Sequence, residues 1–148
     1  MSELTSSTSK KRILVVDDDP VILKALSIKL KAHGYDVLTA SDGSTAVTTV
    51  RTMKPDLIVL DISFPPDFGN VDWDGFRILE WLKRLDEIAS TPIVMVTGGS
   101  LAKSSGDPSS YETRAKQSGA AAFFRKPLNH EQFFETIGQL MTQAAIAA

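Results

Sequence analysis

Apolar residues in this chain fall into short unbroken blocks, separated by longer stretches in which they return every three or four positions. The clearest blocks are Ile13-Leu14-Val15-Val16, Leu57-Ile58-Val59-Leu60 and Ile93-Val94-Met95-Val96. A strand that is aliphatic at every position is covered on both faces, as in a parallel sheet. Tyr35 to Thr39 and Ala121 to Phe124 read as two shorter strands. Helical spacing fills the intervals. Asp19 as N-cap and Pro20 at the first helical position open a helix carrying Val21, Ile22, Ala25, Leu26 and Leu30 as far as Gly34. Asp42-Gly43 opens a second helix with Ala46, Val47, Val50 and Met53, which Lys54-Pro55-Asp56 stops. A third runs from Gly75 to Leu85 with Phe76, Leu79, Leu82 and Leu85 on one face. A fourth is expected late in a Gly/Ser-rich stretch, from Ser110 to Gln117. In the last helix, Asn129 caps, Gln132 takes the N3 position, and Phe133, Ile137, Leu140, Met141 and Ala144 form the stripe.

Strands that alternate with helices imply right-handed crossovers and a doubly wound parallel sheet with helices on both faces. No internal repeat interrupts the series. Periodicity does not fix the strand order. If the first and third strands are neighbours, however, the acidic residues that follow them share one pocket, outside the carboxyl ends of the strands where such sheets bind ligands. Those residues are Asp17-Asp18-Asp19 and Asp61.

Carboxylates about 4 Å apart repel by roughly 4 kcal/mol at an effective dielectric of 20, so a cluster of them calls for a cation or a proton. Oxygen ligation selects a hard ion, and Mg²⁺ takes one or two carboxylates while leaving positions for water and phosphate oxygens. An aspartate is already ionised at neutral pH and needs no general base to attack phosphorus, which makes Asp61 a candidate nucleophile. Thr97 after the fourth strand and Lys126 after the fifth supply a hydroxyl donor and a point charge for phosphoryl oxygens.

Composition narrows the classes without choosing among them. The chain has 148 residues, 43% hydrophobic and 23% charged, with a formal net charge of -2, which suits one soluble domain and gives no electrostatic reason to expect nucleic acid. With no cysteine, disulfides and thiolate metal sites are excluded, and a cytoplasmic setting is the default expectation. No apolar run approaches a membrane span, and residues 1–11 read as a flexible Ser/Thr-rich tail ahead of a domain over 12–148.

Four segments in order, Ile13-Leu14-Val15-Val16-Asp17-Asp18-Asp19-Pro20, Pro55-Asp56-Leu57-Ile58-Val59-Leu60-Asp61, Pro92-Ile93-Val94-Met95-Val96-Thr97-Gly98 and Lys126-Pro127, resemble the receiver domain of two-component response regulators. The resemblance spans Ile13 through the final helix. It implies the flavodoxin-like strand order 2-1-3-4-5 and a stand-alone receiver that takes a phosphoryl group onto Asp61 from a histidine kinase or histidine phosphotransfer protein, with Mg²⁺ as cofactor. It also implies that Asp18, Asp61 and the backbone carbonyl of Ser63 ligate the metal while Asp17 acts through a water. Thr97 and Lys126 would hold the phosphoryl oxygens. Thr97 and Phe123 would form the switch that alters binding to a downstream protein.

Taken singly these residues have plainer readings: a polar turn and helix cap for the triplet, a backbone-satisfying hydroxyl for Thr97, a solvated lysine for Lys126 and a core aromatic for Phe123. Two other functions stay open. A receiver-like interaction module that is not phosphorylated is disfavoured by the presence of Asp17, Asp18, Asp61, Thr97 and Lys126. A metal-dependent phosphohydrolase working through an aspartyl phosphate is disfavoured because Ser63 stands where that family has a second Asp, and no cap domain is evident. The segment Asn70 to Gly75 mimics the start of a calcium loop, but Trp81 occupies the position of the bidentate Glu. His33 and His130 are read as distant from each other, which argues against a histidine metal site. The chain departs from the family in the insertion Pro66 to Trp73, where Phe68 and Trp73, with Phe64 just before it, are expected to pack over the sheet edge rather than form a docking surface for a kinase, and in a lengthened link over residues 98–110. The apolar end of the last helix leaves weak self-association open.

Overall fold

Strands β1 (Arg12–Val16), β2 (Asp36–Ala40), β3 (Leu57–Ile62), β4 (Ile93–Thr97) and β5 (Ala122–Arg125) form a parallel sheet in the order β2-β1-β3-β4-β5. This is a computed structural model, and it describes residues 10–17, 19–62, 75–88, 90–97, 116–125 and 128–147. Helices α1 (Pro20–Ala32), α2 (Gly43–Met53), α3 (Gly75–Lys83) and α4 (His130–Ala147) flank the sheet, with a short 3₁₀ turn at Asp86–Ile88. Strand order therefore reverses between β1 and β3, as expected if their acidic ends share a site.

Alternate residues of each strand enter opposite layers, which is why the strands are apolar throughout. Ile13, Val15, Leu57 and Val59 pack beneath α1 and α4, against Leu26, Leu30, Phe133 and Ile137. Leu14, Val16, Ile58 and Leu60 pack on the other face, against Ala46 and Val50 of α2 and Leu79 and Leu82 of α3. Each fully buried aliphatic side chain of this kind contributes about 1.5–3 kcal/mol by leaving water.

Local signals set most boundaries. Asp19 Oδ1 accepts the Val21 N–H at 2.9 Å and Asp42 Oδ1 accepts the Thr45 N–H at 2.6 Å, so both residues cap the helices that they precede. Asn129 Oδ1 likewise accepts the Gln132 N–H at 3.0 Å. Gly34, at φ +93°, reverses the chain after α1, a conformation that costs glycine little. Gly43 has a different reason. A Cβ there would stand 3.0 Å from the Trp81 ring, so glycine lets the start of α2 approach α3 without displacing that ring.

Several details differ from the periodic reading. Strand β2 begins at Asp36 rather than Tyr35, because the Tyr35 N–H closes the end of α1 on the Leu30 carbonyl at 3.2 Å and Asp36 is the first residue to pair with β1. Helix α3 ends at Lys83, and the Arg84 and Leu85 N–H groups bond three residues back, tightening the last turn. On α1 the packed stripe is Ile22, Leu23, Leu26 and Leu30, whereas Val21 is 73% exposed and Ala25 is also exposed. A flat sheet covers only a limited arc of a helix, and the strip formed by Val21, Ala25 and Ile28 lies outside it. Met53, in the final turn of α2, is likewise exposed. In α4, Phe133, Ile137 and Met141 are buried and Leu140 partly so; the surroundings of Ala144 lie outside the described residues. Lys116 and Gln117 are helical, while the rest of the expected fourth helix, the insertion with Phe64, Phe68 and Trp73, the 98–110 link and residues 1–9 also lie outside them.

Candidate phosphoacceptor site

The register of the two central strands carries the site. Val16 of β1 stands opposite Leu60 of β3, so the next residues, Asp17 just past β1 and Asp61 one residue before the end of β3, come side by side. Both are fully buried, with 0% exposure, and they are the buried charged residues among those described. Such burial is costly for a carboxylate unless charge or hydrogen bonds compensate it.

Asp17 is held from two directions. Its N–H donates to the Ala40 carbonyl at the end of β2 at 3.1 Å, and its Oδ1 accepts the Asp19 N–H at 3.0 Å. Asp61 lies inside β3, opposite Val96 of β4. Its Oδ2 is buried and accepts no hydrogen bond, although the residue as a whole is not without interactions. The donors gathered here are carboxylate oxygens on rigid strand ends, a set that fits a hard divalent cation such as Mg²⁺ and would suit a thiophilic metal poorly.

Thr97 ends β4, with Ile62 of β3 opposite on one side and Arg125 of β5 on the other. The backbone thus brings the Thr97 position to the same sheet end as Asp17 and Asp61, and Lys126 follows Arg125 directly in the sequence. Lys126 itself, Asp18, Ser63 and the side chain of Thr97 lie outside the described residues, as does the calcium-like segment Asn70 to Asp74. Phe123 pairs with Met95, is half-buried, and packs against the core layer beneath α2 and α3.

Two contacts at the site escape sequence reading. The Ala40 carbonyl arrives through strand pairing, which no local motif announces. The Asp19 N–H is a main-chain donor and leaves no compositional signal. A third result corrects an expectation. His33 and His130 are not remote: Lys29 Nζ lies 3.2 Å from His130 Nε2, and His33 Nδ1 lies 2.9 Å from the Lys29 carbonyl. Helices α1 and α4 share one face of the sheet, which brings the end of the first to the start of the second. No group of three or more metal-binding side chains forms there or elsewhere among the described residues.

The sheet order, with two buried carboxylates side by side at the strand-order reversal, is that of a doubly wound, flavodoxin-like α/β domain. The model of the response regulator receiver domain matches residues 13–138, and the chain belongs to that family. It is 30% identical over 134 residues to the polar-differentiation response regulator DivK of Brucella anthropi, covering 90% of this chain and 98% of that protein. Among solved structures, the CheY-like receiver domain protein of Methanospirillum hungatei superposes with a TM-score of 0.75 at 27% identity, over 95% of this chain and 100% of that one. The chemotaxis response regulator CheY4 of Vibrio cholerae does so with a TM-score of 0.71 at 26% identity, over 89% and 99% of the two chains. The protein is accordingly a two-component signalling receiver with the flavodoxin-like fold, rather than a metabolic enzyme. No described helix is long and apolar enough to cross a membrane.

Proposed function

We propose that Asp61 is the phosphoacceptor, and that the domain takes its phosphoryl group from a phosphohistidine of a kinase or phosphotransfer protein. The observation that carries this reading is the pair of fully buried carboxylates, Asp17 and Asp61, side by side on adjacent strand ends. In the transfer, an Asp61 carboxylate oxygen forms a bond to phosphorus as the P–N bond to the donor imidazole breaks, its electron pair returning to the ring nitrogen. The approach is in line, and the protein contributes position and charge rather than a proton relay.

Asp18, Asp61 and the Ser63 carbonyl would hold Mg²⁺, with Asp17 contacting it through water. Bound there, the ion offsets the negative charge that carboxylates and phosphoryl oxygens bring together. Lys126 provides a fixed positive charge for one phosphoryl oxygen and Thr97 a hydroxyl for another. The domain then catalyses only its own phosphorylation and dephosphorylation. Phosphorylation shifts an existing equilibrium at Thr97 and Phe123, and a downstream protein reads the change. Phe123 is half-buried on the edge strand and packs on the core layer, so a change in its ring position would be felt at the surface.

The donor is read as approaching over the start of α1. The exposed strip of Val21, Ala25 and Ile28, with Pro20 and Lys24, borders a groove of about 480 Å³ and suits an apolar helix of the donor. The absence of cysteine is in keeping with a cytoplasmic setting.

Incubation with acetyl phosphate and Mg²⁺ followed by intact-mass measurement tests the proposal. The wild type is expected to gain one phosphoryl group, and Asp61→Asn and EDTA-treated protein none. No gain by the wild type would support the interaction module that is not phosphorylated; turnover of added phosphoesters would support a hydrolase.

A further inference from the structure

Asp19 reads in the sequence as a helix cap and nothing more, yet its two ends do different things. Its side chain accepts the Val21 N–H at 2.9 Å, fixing the first turn of α1. Its backbone N–H donates to Asp17 Oδ1 at 3.0 Å, so one oxygen of the buried carboxylate is tied to the peptide unit that the cap immobilises. At φ -98° and ψ 112° the residue is in the extended conformation normal for an N-cap, and the cap bond selects that conformation.

We infer that Asp19 is a positioning residue of the cation site: its helix-capping bond sets the direction of the N–H that orients the Asp17 carboxylate. The inference rests on the reading of Asp17 and Asp61 as part of a Mg²⁺ site, and deepens it. What matters at position 19 is an acceptor on a short side chain, not negative charge. The Ala40 carbonyl anchors Asp17 from the main-chain side, whereas the Asp19 N–H acts on the carboxylate itself, alongside the other interactions of that residue. Without the cap, the start of α1 gains conformational freedom, the N–H no longer points in one direction, and Asp17 must be ordered at the expense of cation binding.

The test is a MgCl₂ titration of the full chain, followed by amide chemical shifts and paired with thermal unfolding in EDTA. Asp19→Ala is expected to weaken Mg²⁺ binding about tenfold, the lower end of effects seen when groups behind a metal ligand are removed. Asp19→Asn and Asp19→Ser, which keep a capping oxygen, are expected to stay within about twofold of wild type. Asp42→Ala removes the equivalent cap of α2, which serves no residue of the site. It is expected to lower the melting temperature comparably while leaving the Mg²⁺ affinity unchanged. If Asp19→Ala does not fold, Asp19→Gly replaces it, since glycine is tolerated at N-caps and also lacks the acceptor.

Affinity in Asp19→Ala within about twofold of wild type overturns the inference, since loss of the cap would lower the melting temperature in any case. Equal weakening in Asp19→Asn overturns it too, because charge would then be the cause, as does equal weakening in Asp42→Ala. If the wild type shows no Mg²⁺-dependent shifts at all, the cation site itself fails, and that result is distinguishable from the others.

Discussion

Replacing Asp61 by Asn should make the metal-free domain more stable, although it removes a fully buried residue's native side chain. Asp17 and Asp61 follow paired residues of adjacent strands and are both wholly buried. Neighbouring strands lie about 4.8 Å apart, so the two carboxylates stand roughly 5 Å from each other. At that separation and an effective dielectric of 20, two negative charges repel by about 3 kcal/mol. Other interactions of both residues offset part of this, and a gain of about 1–2 kcal/mol is expected when one charge becomes an amide of the same shape. For a chain of this size each kcal/mol moves the melting temperature by about 2–4 °C, so Asp61→Asn should melt roughly 3–6 °C above wild type. The assay is thermal unfolding by circular dichroism in EDTA, repeated in excess Mg²⁺. Mg²⁺ should raise the melting temperature of the wild type by binding only the folded state, and leave the variant nearly unmoved. If Asp61→Asn in EDTA melts at or below the wild-type temperature, the carboxylates are not in conflict and the electrostatic account of the pocket is wrong.

Other expectations concern the frame around the site. Phe133, 1% exposed and edge-on to both Phe124 and Phe134, should cost about 3–5 kcal/mol on substitution by Ala in urea unfolding, because it joins α4 to the sheet. Gly43→Ala should push the Trp81 ring outward, seen as a red shift in tryptophan emission, at a cost of about 1 kcal/mol, since the ring is 45% exposed and has room to move. The carboxyl of Asp42 is held below its ordinary value by the Thr45 N–H, which favours the ionised form. Its contribution is therefore present above the ordinary carboxylate pKa and lost as pH falls through the lowered folded value. The stability gap between wild type and Asp42→Ala, measured in urea from neutral to acidic pH, should close at the acid end and not at the neutral one.

Much of the architecture can be read from short-range pattern. The unbroken aliphatic runs of β1, β3 and β4 required cover on both faces, and the sheet supplies it. The caps at Asp19, Asp42 and Asn129 are local hydrogen bonds between residues two or three apart, which is why the sequence shows them. The face of α1 was harder. Val21 and Ala25 satisfy helical spacing as well as Leu23 does, and only the position of the sheet decides which strip is buried. Met53 fails similarly, at a helix end beyond the reach of the core. The seam where Lys29 meets His130, 101 residues later, has no local signal, because it arises from two crossovers that put their helices on one face. At the site, acidic residues behind aliphatic runs were legible as chemistry. The support of Asp17 by the Ala40 carbonyl and the Asp19 N–H was not, since main-chain groups are the same in every residue.

Chemical location of the phosphoryl group tests the central claim most directly. Protein treated with acetyl phosphate and Mg²⁺ is reduced with borohydride, which converts an aspartyl phosphate to homoserine, and then digested and sequenced by mass spectrometry. The account predicts homoserine at position 61 alone, dependent on Mg²⁺. Homoserine at position 17, 18 or 19, or label on a serine, threonine or histidine with Asp61 intact, would contradict it.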